Sequence, residues 1–251
     1  MAFKLDDMTQ VLALTTRKGV GSLRWQKPQW IDFLPPCNHA CPAGEDIQAW
    51  LALAQAGRHE EAWRTLVENN PLPSTHGRAC YHPCESSCNR AALDAPIAIH
   101  AVERFLGDLA SDNAWTVPVA APSGKRVLIV GAGPAGLSCA HRLAMRGHDV
   151  VVFDARAKGG GLNEYGIAAY KTVNDFAQRE LAWLLAIGGI ELRHEQKLGR
   201  DLSLAALAAD HDAVFLGVGL ADVNALGLDG EALQGVENAV DFIARLRQAE
   251  D

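Results

Sequence analysis

The stretch Arg126–Asp154 constrains this chain more than any other. An apolar, β-branched run, Arg126–Val130, leads directly into Gly131-Ala132-Gly133-Pro134-Ala135-Gly136-Leu137. Apolar and small residues then recur at helical spacing over Ser138–Arg146. Gly147 closes that segment, and a second apolar run, Val150–Phe153, ends on Asp154. Strand, glycine turn, helix, strand and acid is the order of a dinucleotide-binding βαβ unit. Gly131 allows the tight turn, Gly133 lets the backbone approach a pyrophosphate, and Gly136 lets the helix lie close to the strand. The helix then offers unpaired N–H groups and the positive end of its dipole to the phosphates. Asp154, 23 residues after Gly131, is placed to accept hydrogen bonds from a ribose. Its charge would repel a 2′-phosphate, which makes NADP a poor ligand for this particular site.

The chain before this unit has a different character. Cys37-Asn38-His39-Ala40-Cys41-Pro42 is C-x3-C-P, and Cys80, Cys84 and Cys88 form C-x3-C-x3-C. Between and after them the spacing of apolar residues predicts three helices. One covers Glu45–Ala56, a second carries Ala62, Trp63, Leu66 and Val67 until Asn69 to Pro73 stop it, and a third runs on from Pro96. Residues 35–110 therefore read as a small helical domain with five cysteines in two clusters. Residues 1–34 read as an extended arm and 111–124 as a linker. Beyond Asp154 a second glycine-rich loop, Gly159–Ile167, is followed by an expected helix over Val173–Ile187 and a strand over Ile190–Arg193. A buried strand over Asp212–Val218 and a helix around Val240–Arg247 complete the reading. Gly217-Val218-Gly219 reads as a tight strand exit, since no acid-ended strand follows it.

The cysteines need a reason. Zinc, an iron–sulfur site and unligated thiols are all open on residues alone. Zinc pairs are most often C-x2-C, whereas a proline straight after a ligand recurs at iron–sulfur sites. Cys139, on the helix after Gly136, reads as a small core residue. Glu103 borders the apolar stripe of the third helix, where it is either a solvated flank residue or an acid that wants a cation.

Net charge is −7, with no long basic run, so nucleic acid is not the expected partner. No apolar run reaches the length of a membrane span, and Met1–Gln10 lacks a signal-peptide core. A cytoplasmic protein with reduced thiols is expected.

These motifs, CNHACP, NNPLPSTHGRACYHPCESSCNR, APIAIHAVERF, GAGPAGL, GGGLNEYGI and DAVFLGVG, together resemble the glutamate synthase small-subunit family. That family also includes the NADPH-side module of dihydropyrimidine dehydrogenase. The resemblance implies an α/β Rossmann-like FAD-binding domain over 125–251, preceded by a small all-α iron–sulfur domain. It implies FAD on Gly131, Ala132, Gly133, Pro134, Ala135, Gly136 and Asp154, with Gly160, Gly161, Leu162, Tyr165, Gly166 and Ile167 completing the site. One [4Fe–4S] cluster would be held by Cys41, Cys80, Cys84 and Glu103. Cys37 and Cys88 match two ligands of a second cluster, but the C-x2-C pair that completes it is replaced here by Gln29-Trp30-Ile31-Asp32.

Electrons in that family pass from NAD(P)H to FAD, through the clusters, and on to a large oxidoreductase subunit or a ferredoxin-linked enzyme. Family members continue into an NAD(P)H domain. The chain is therefore expected to be the N-terminal part of a longer reductase, inactive with NAD(P)H when isolated. Other readings are a non-catalytic docking and relay module, or an NAD-binding protein with a structural zinc domain.

Overall fold

The computed structural model describes residues 34–220 and 223–249. The expected arm, apart from Leu34, and the Gln29–Asp32 stretch lie outside the described residues.

The cysteine-bearing part is a set of six helices: α1 (Pro36–Ala40), α2 (Ile47–Gln55), α3 (His59–Val67), α4 (Pro73–Ala79), α5 (Pro83–Ser86) and α6 (Ile99–Asn113). Asp46 starts α2, its Oδ1 accepting the Ala49 N–H at 3.2 Å, as an N-cap acid should. The Asn38 amide bridges α1 to that cap, donating to Asp46 at 2.8 Å while its Oδ1 accepts the Gln48 N–H at 3.0 Å. Trp50, Trp63, Leu66, Val67, Ile99, Leu106 and Ala110 form the core beneath.

Two expectations change here. Pro73 does not simply end a helix; it opens α4, because proline at the first position forfeits only an N–H that has no intrahelical partner. Gly77 and Gly107 let α4 and α6 cross closely. A Cβ on Gly77 would lie 2.6 Å from the Arg104 nitrogen, and one on Gly107 would lie 2.5 Å from the Ser74 nitrogen. In addition, α6 starts at Ile99 rather than Pro96 and runs to Asn113, into the expected linker. The remainder of that stretch is tied down. Trp115 packs on Trp63 at 5.8 Å, and the Ala120 and Ser123 N–H groups bond the Met145 and Gly147 carbonyls.

The α/β part comprises β1 (Arg126–Val130), α7 (Pro134–Met145), β2 (Asp149–Phe153), α8 (Leu162–Tyr165), α9 (Phe176–Ala186), β3 (Ile190–Arg193), α10 (Leu204–Ala209), β4 (Ala213–Leu216) and α11 (Ala239–Gln248). The sheet is parallel throughout, in the order β3-β2-β1-β4, with Val130 opposite Phe153 on one side and Leu216 on the other. β4, expected to be buried, is an edge strand whose Phe215 and Leu216 are 37% and 51% exposed. The helix expected from Val173 begins instead at Phe176, because Asn174 and Asp175 adopt left-handed backbone at φ 59° and 55°. Cys139 is half-buried against the core behind β1 and β2.

From Pro35 onward the chain forms one compact unit, and α9 is the element joining its two parts. The Arg78 guanidinium sits 3.9 Å from the Phe176 ring centroid and grips Asp108 of α6 with two bonds of 2.8 and 2.7 Å. Trp183 packs 5.3 Å from Trp63 and donates its indole N–H to the Trp115 carbonyl at 2.9 Å.

Candidate functional site

Two sets of residues face each other's neighbourhoods across α9. The first surrounds the glycine turn after β1. Gly131 has φ 105°, and a Cβ there would strike the backbone of Gly217, the residue that leaves β4. A Cβ on Gly136 would strike the Gly131 carbonyl. Both are glycine because the protein itself leaves no room. Gly133 differs: its φ is −78°, and an added Cβ would meet nothing nearer than the Gly161 Cα at 3.9 Å. Among the described residues nothing crowds the position of a side chain at 133, so the space beside it is open. It is the N-cap of α7, where unpaired N–H groups and the helix dipole favour a phosphate. Pro134 takes the first helical position, Ala132 is buried and Ala135 is exposed.

Asp154 ends β2 half-buried. Its Oδ2 accepts the Ala132 N–H at 2.7 Å and its Oδ1 the Arg156 N–H at 2.8 Å, so it fixes the turn as well as facing it. Each carboxylate oxygen retains a further acceptor site for a hydroxyl. The second glycine loop closes over the first. Gly160 donates its N–H to the Ala132 carbonyl at 2.7 Å, and Gly161, at φ 53°, turns α8 towards Gly133. Leu162 projects outward at 62% exposure. Tyr165 is buried beneath the Arg156 guanidinium and accepts the Lys158 N–H at 3.1 Å. Gly166 and Ile167 are half-buried at the end of the loop. Sequence reasoning missed Glu164 and Asn163, both buried in this loop. A charged residue beside a glycine run reads as solvated, and nothing in the local pattern signals its partners.

The second set is the sulfur-bearing one. Cys37 lies on α1 and Cys41 directly follows it. Cys80 caps the C-terminus of α4, Cys84 lies on α5, and Cys88 precedes a short turn at Asn89–Ala92. Burial pushes the Cys84 thiol up to about 12, with Cys41, Glu85 and Cys80 near enough to add to the shift. Burial likewise raises Cys80, whose charged neighbours include Glu103, Cys41 and Glu45. Cys37 is raised by its own burial, with Cys88 as its sulfur neighbour. Cys41 and Cys80 are thus within electrostatic reach of Cys84, Glu103 of Cys80, and Cys88 of Cys37. Among the described residues no three His, Cys, Asp or Glu side chains converge as they would on a single ion. A cubane cluster spreads its ligands wider than one zinc ion does.

Glu103 is buried at 5% exposure without a cationic side chain of fixed charge beside it. Its Oε1 accepts the Asn70 amide at 2.7 Å, and its Oε2 lies 3.7 Å from His82 Nε2. That contact raises the His82 pKa. Asn70 donates to Glu45 as well, at 3.0 Å, and its Oδ1 accepts from His76 Nδ1 at 2.8 Å. Glu45 was outside the sequence reading. Its pKa is pushed up to about 7, by burial first and by the Glu103 charge second. Three soft sulfurs and a buried carboxylate are a donor set that fits an iron–sulfur cluster.

Comparison with known proteins agrees with this division. Residues 33–115 match the family described as dihydropyrimidine dehydrogenase domain II, 4Fe-4S cluster, and residues 129–173 match the NAD(P)-binding Rossmann-like domain. The glutamate synthase [NADPH] small chain of Escherichia coli is 38% identical over 83% of this chain and 45% of its own length. By sequence, the chain is similar to the glutamate synthase small chains. Two further relatives are each 35% identical. One is the beta subunit of the NADP(+)-dependent formate dehydrogenase of Moorella thermoacetica, over 78% of this chain and 31% of the relative. The other is the beta subunit of the NADPH-Fe(3+) oxidoreductase of Geobacter sulfurreducens, over 84% and 32%. The chain spans between about a third and a half of the length of these small-chain relatives. It carries a 4Fe-4S-type helical part followed by a Rossmann-like part. Among the described residues, no helix is long and apolar enough to cross a membrane.

Proposed function

We propose that this chain is an electron-transfer flavoprotein module. FAD would lie with its pyrophosphate over Gly131, Gly133 and Gly136 and its adenosine ribose at Asp154. A [4Fe–4S] cluster would be held by Cys41, Cys80, Cys84 and Glu103. The flavin would supply the conversion of a two-electron hydride into single electrons that a cluster accepts. The observation that carries the reading is the open side of Gly133, at the N-cap of α7 and opposite Gly161.

The chain's own residues do the positioning. The α7 terminus binds phosphate, Asp154 orients the ribose, and Ala132 and Gly160 hold the two loops together. On the cluster side, burial keeps Cys84 protonated until iron binds, because ligation needs the thiolate. Asn70 holds Glu103 by its Oε1, while its Oε2 faces His82. α9 packs on the helical part through Phe176 and Trp183, and bonds the second glycine loop through Gln178. The donor would be NAD(P)H bound by a neighbouring domain, and the acceptor a large oxidoreductase subunit or a ferredoxin-linked enzyme.

The test is a visible spectrum of the purified chain after FAD addition, with iron and acid-labile sulfide assays. Flavin bands together with about four iron and four sulfide per chain are expected for one cluster. Zinc in place of iron, or no flavin uptake, would sink the reading.

A further inference from the structure

We propose that Arg247, acting through Glu164, is a positioning residue for the nucleotide cradle; the proposal rests on the FAD reading above. Glu164 lies in the second glycine loop and is only 2% exposed. Its Oε1 accepts the Gln248 amide at 2.8 Å and its Oε2 the Gln178 amide at 2.9 Å. The Arg247 guanidinium stands 3.4 Å from Oε2, with its own side chain 8% exposed. The same guanidinium donates from Nε to the Glu164 main-chain carbonyl at 2.9 Å and from Nη1 to Thr172 Oγ1 at 2.7 Å. One cation from α11 therefore ties down the loop at Glu164 and again eight positions later, at Thr172.

The consequence reaches the cradle through Gly160 and Gly161. A Cβ on Gly160 would meet the Glu164 Cβ at 3.0 Å, so the stem of Glu164 rests against Gly160. Gly160 bonds Ala132 in the first glycine turn, and Gly161 is the nearest residue to the open side of Gly133. Fixing Glu164 thus fixes the height of the second loop above the phosphate position. A buried pair of opposite charge is hard to assemble and harmful to break, and apolar residues would hold α11 on the loop as well. What the ion pair adds is direction. The planar guanidinium defines the angle of the loop in a way that apolar contact does not.

The experiment compares the wild-type chain with Arg247→Met, Glu164→Gln and the double variant Glu164→Met/Arg247→Met. The readouts are FAD affinity by fluorescence titration, the visible circular dichroism of the bound flavin, amide exchange over residues 160–167, and iron content. Arg247→Met should weaken FAD by at least about tenfold, the loss expected for charge-assisted hydrogen bonds. It should alter the flavin dichroism and speed exchange in the loop while leaving iron unchanged. Glu164→Gln keeps one of the two acceptor oxygens and should fall between wild type and Arg247→Met. The double variant leaves no unpaired buried charge, so it should fold like wild type yet bind FAD as weakly as Arg247→Met. Unchanged exchange in Arg247→Met overturns the clasp itself. Faster exchange with unchanged FAD affinity and dichroism overturns its role in nucleotide binding. A wild-type chain that takes up no FAD overturns the flavin reading, while the exchange data still report on the clasp.

Discussion

Glu180 on α9 accepts the main-chain N–H of Thr75 at 2.9 Å, and it takes the Ser74 N–H at 2.6 Å in the same way. The Thr75 hydroxyl donates to it as well. A carboxylate from the α/β part thereby caps the helix that ends at Cys80, and it does so while buried. Glu180→Ala would leave two buried N–H groups without an acceptor, each costing about 1–3 kcal/mol. The variant should lose about 3 kcal/mol of unfolding free energy in urea, and Glu180→Gln, which keeps one acceptor oxygen, less. A Glu180→Ala chain as stable as wild type would show that this cap contributes nothing.

The same residue gives the chain a pH dependence that a second buried group opposes. Burial pushes Glu180 up to about 7 from an ordinary 4.5, against the pull of its hydrogen bonds to Thr75 and Ser74. Between those values the folded chain holds a proton the unfolded chain has released, so stability falls as pH rises. His141, on α7 and 5.9 Å from Trp183, is pushed by burial down to about 4 from 6.5. Between those values the unfolded chain takes a proton that the folded chain refuses, so stability falls as pH drops. Each slope alone amounts to about 3 kcal/mol across its window. Glu45, pushed up to about 7 by burial in the same way, adds a second falling slope. Over pH 4.5 to 6.5 the histidine offsets one of the two acids, so wild-type stability should fall by about 3 kcal/mol as pH rises. Glu180→Gln should flatten the profile, and His141→Leu should steepen its fall. Identical profiles for wild type and Glu180→Gln would contradict the Glu180 assignment.

Much of this was legible in the residues because the glycine turn is local. Gly136 and Asp154 each do their work within one βαβ unit, where spacing places them, whereas Gly131 is also pressed by Gly217 beyond β4. The α4 helix was hidden because Pro73 and Gly77 read as breakers, whereas their meaning comes from α6, some thirty positions later, where Arg104 and Gly107 need the room. Glu45, Glu164 and Glu180 were hidden for the same reason. A buried acid is recognisable only from partners distant in sequence, here Asn70, Arg247 and Thr75. The grouping of Cys41, Cys80 and Cys84 came from family resemblance; spacing left zinc and iron–sulfur chemistry both open.

The glycines can be separated by experiment because the fold needs them for different reasons. Gly136→Ala puts a methyl into the Gly131 carbonyl and should destabilise the chain by at least about 1–3 kcal/mol, the cost of overpacking. Gly133→Ala meets only ordinary contact at 3.9 Å, so its thermal midpoint should stay close to that of wild type. Its FAD affinity should nevertheless fall by about tenfold or more, since the methyl occupies the phosphate approach. Calorimetry and flavin titration on the two variants decide the matter. Unchanged FAD binding by Gly133→Ala would mean the open space serves no nucleotide.

The cluster ligands make the sharpest division, because it falls within a single cysteine-rich segment. Cys84 is 6% exposed, and its thiol is held at about 12 by burial, so an unligated thiolate there is strongly disfavoured. Iron supplies the positive charge that reverses this, and with Cys41, Cys80 and Glu103 nearby a four-ligand cluster can be completed. Cys37 has Cys88 as its sulfur neighbour, and the stretch that should complete a second set carries Gln29 and Asp32, hard oxygen donors poorly suited to a sulfide-bridged iron core. Cys41→Ser and Cys84→Ser should therefore abolish the iron and sulfide signal, whereas Cys37→Ser should keep most of it. Glu103→Ala should lose most of the cluster, because it removes one of the four proposed donors. Iron and sulfide counts on the four purified variants, with their absorbance in the broad iron–sulfur region, provide the measurement. About eight of each in the wild-type chain would mean a second cluster forms with ligands from elsewhere. Equal loss in Cys37→Ser and Cys84→Ser would mean that the two sets have been divided wrongly.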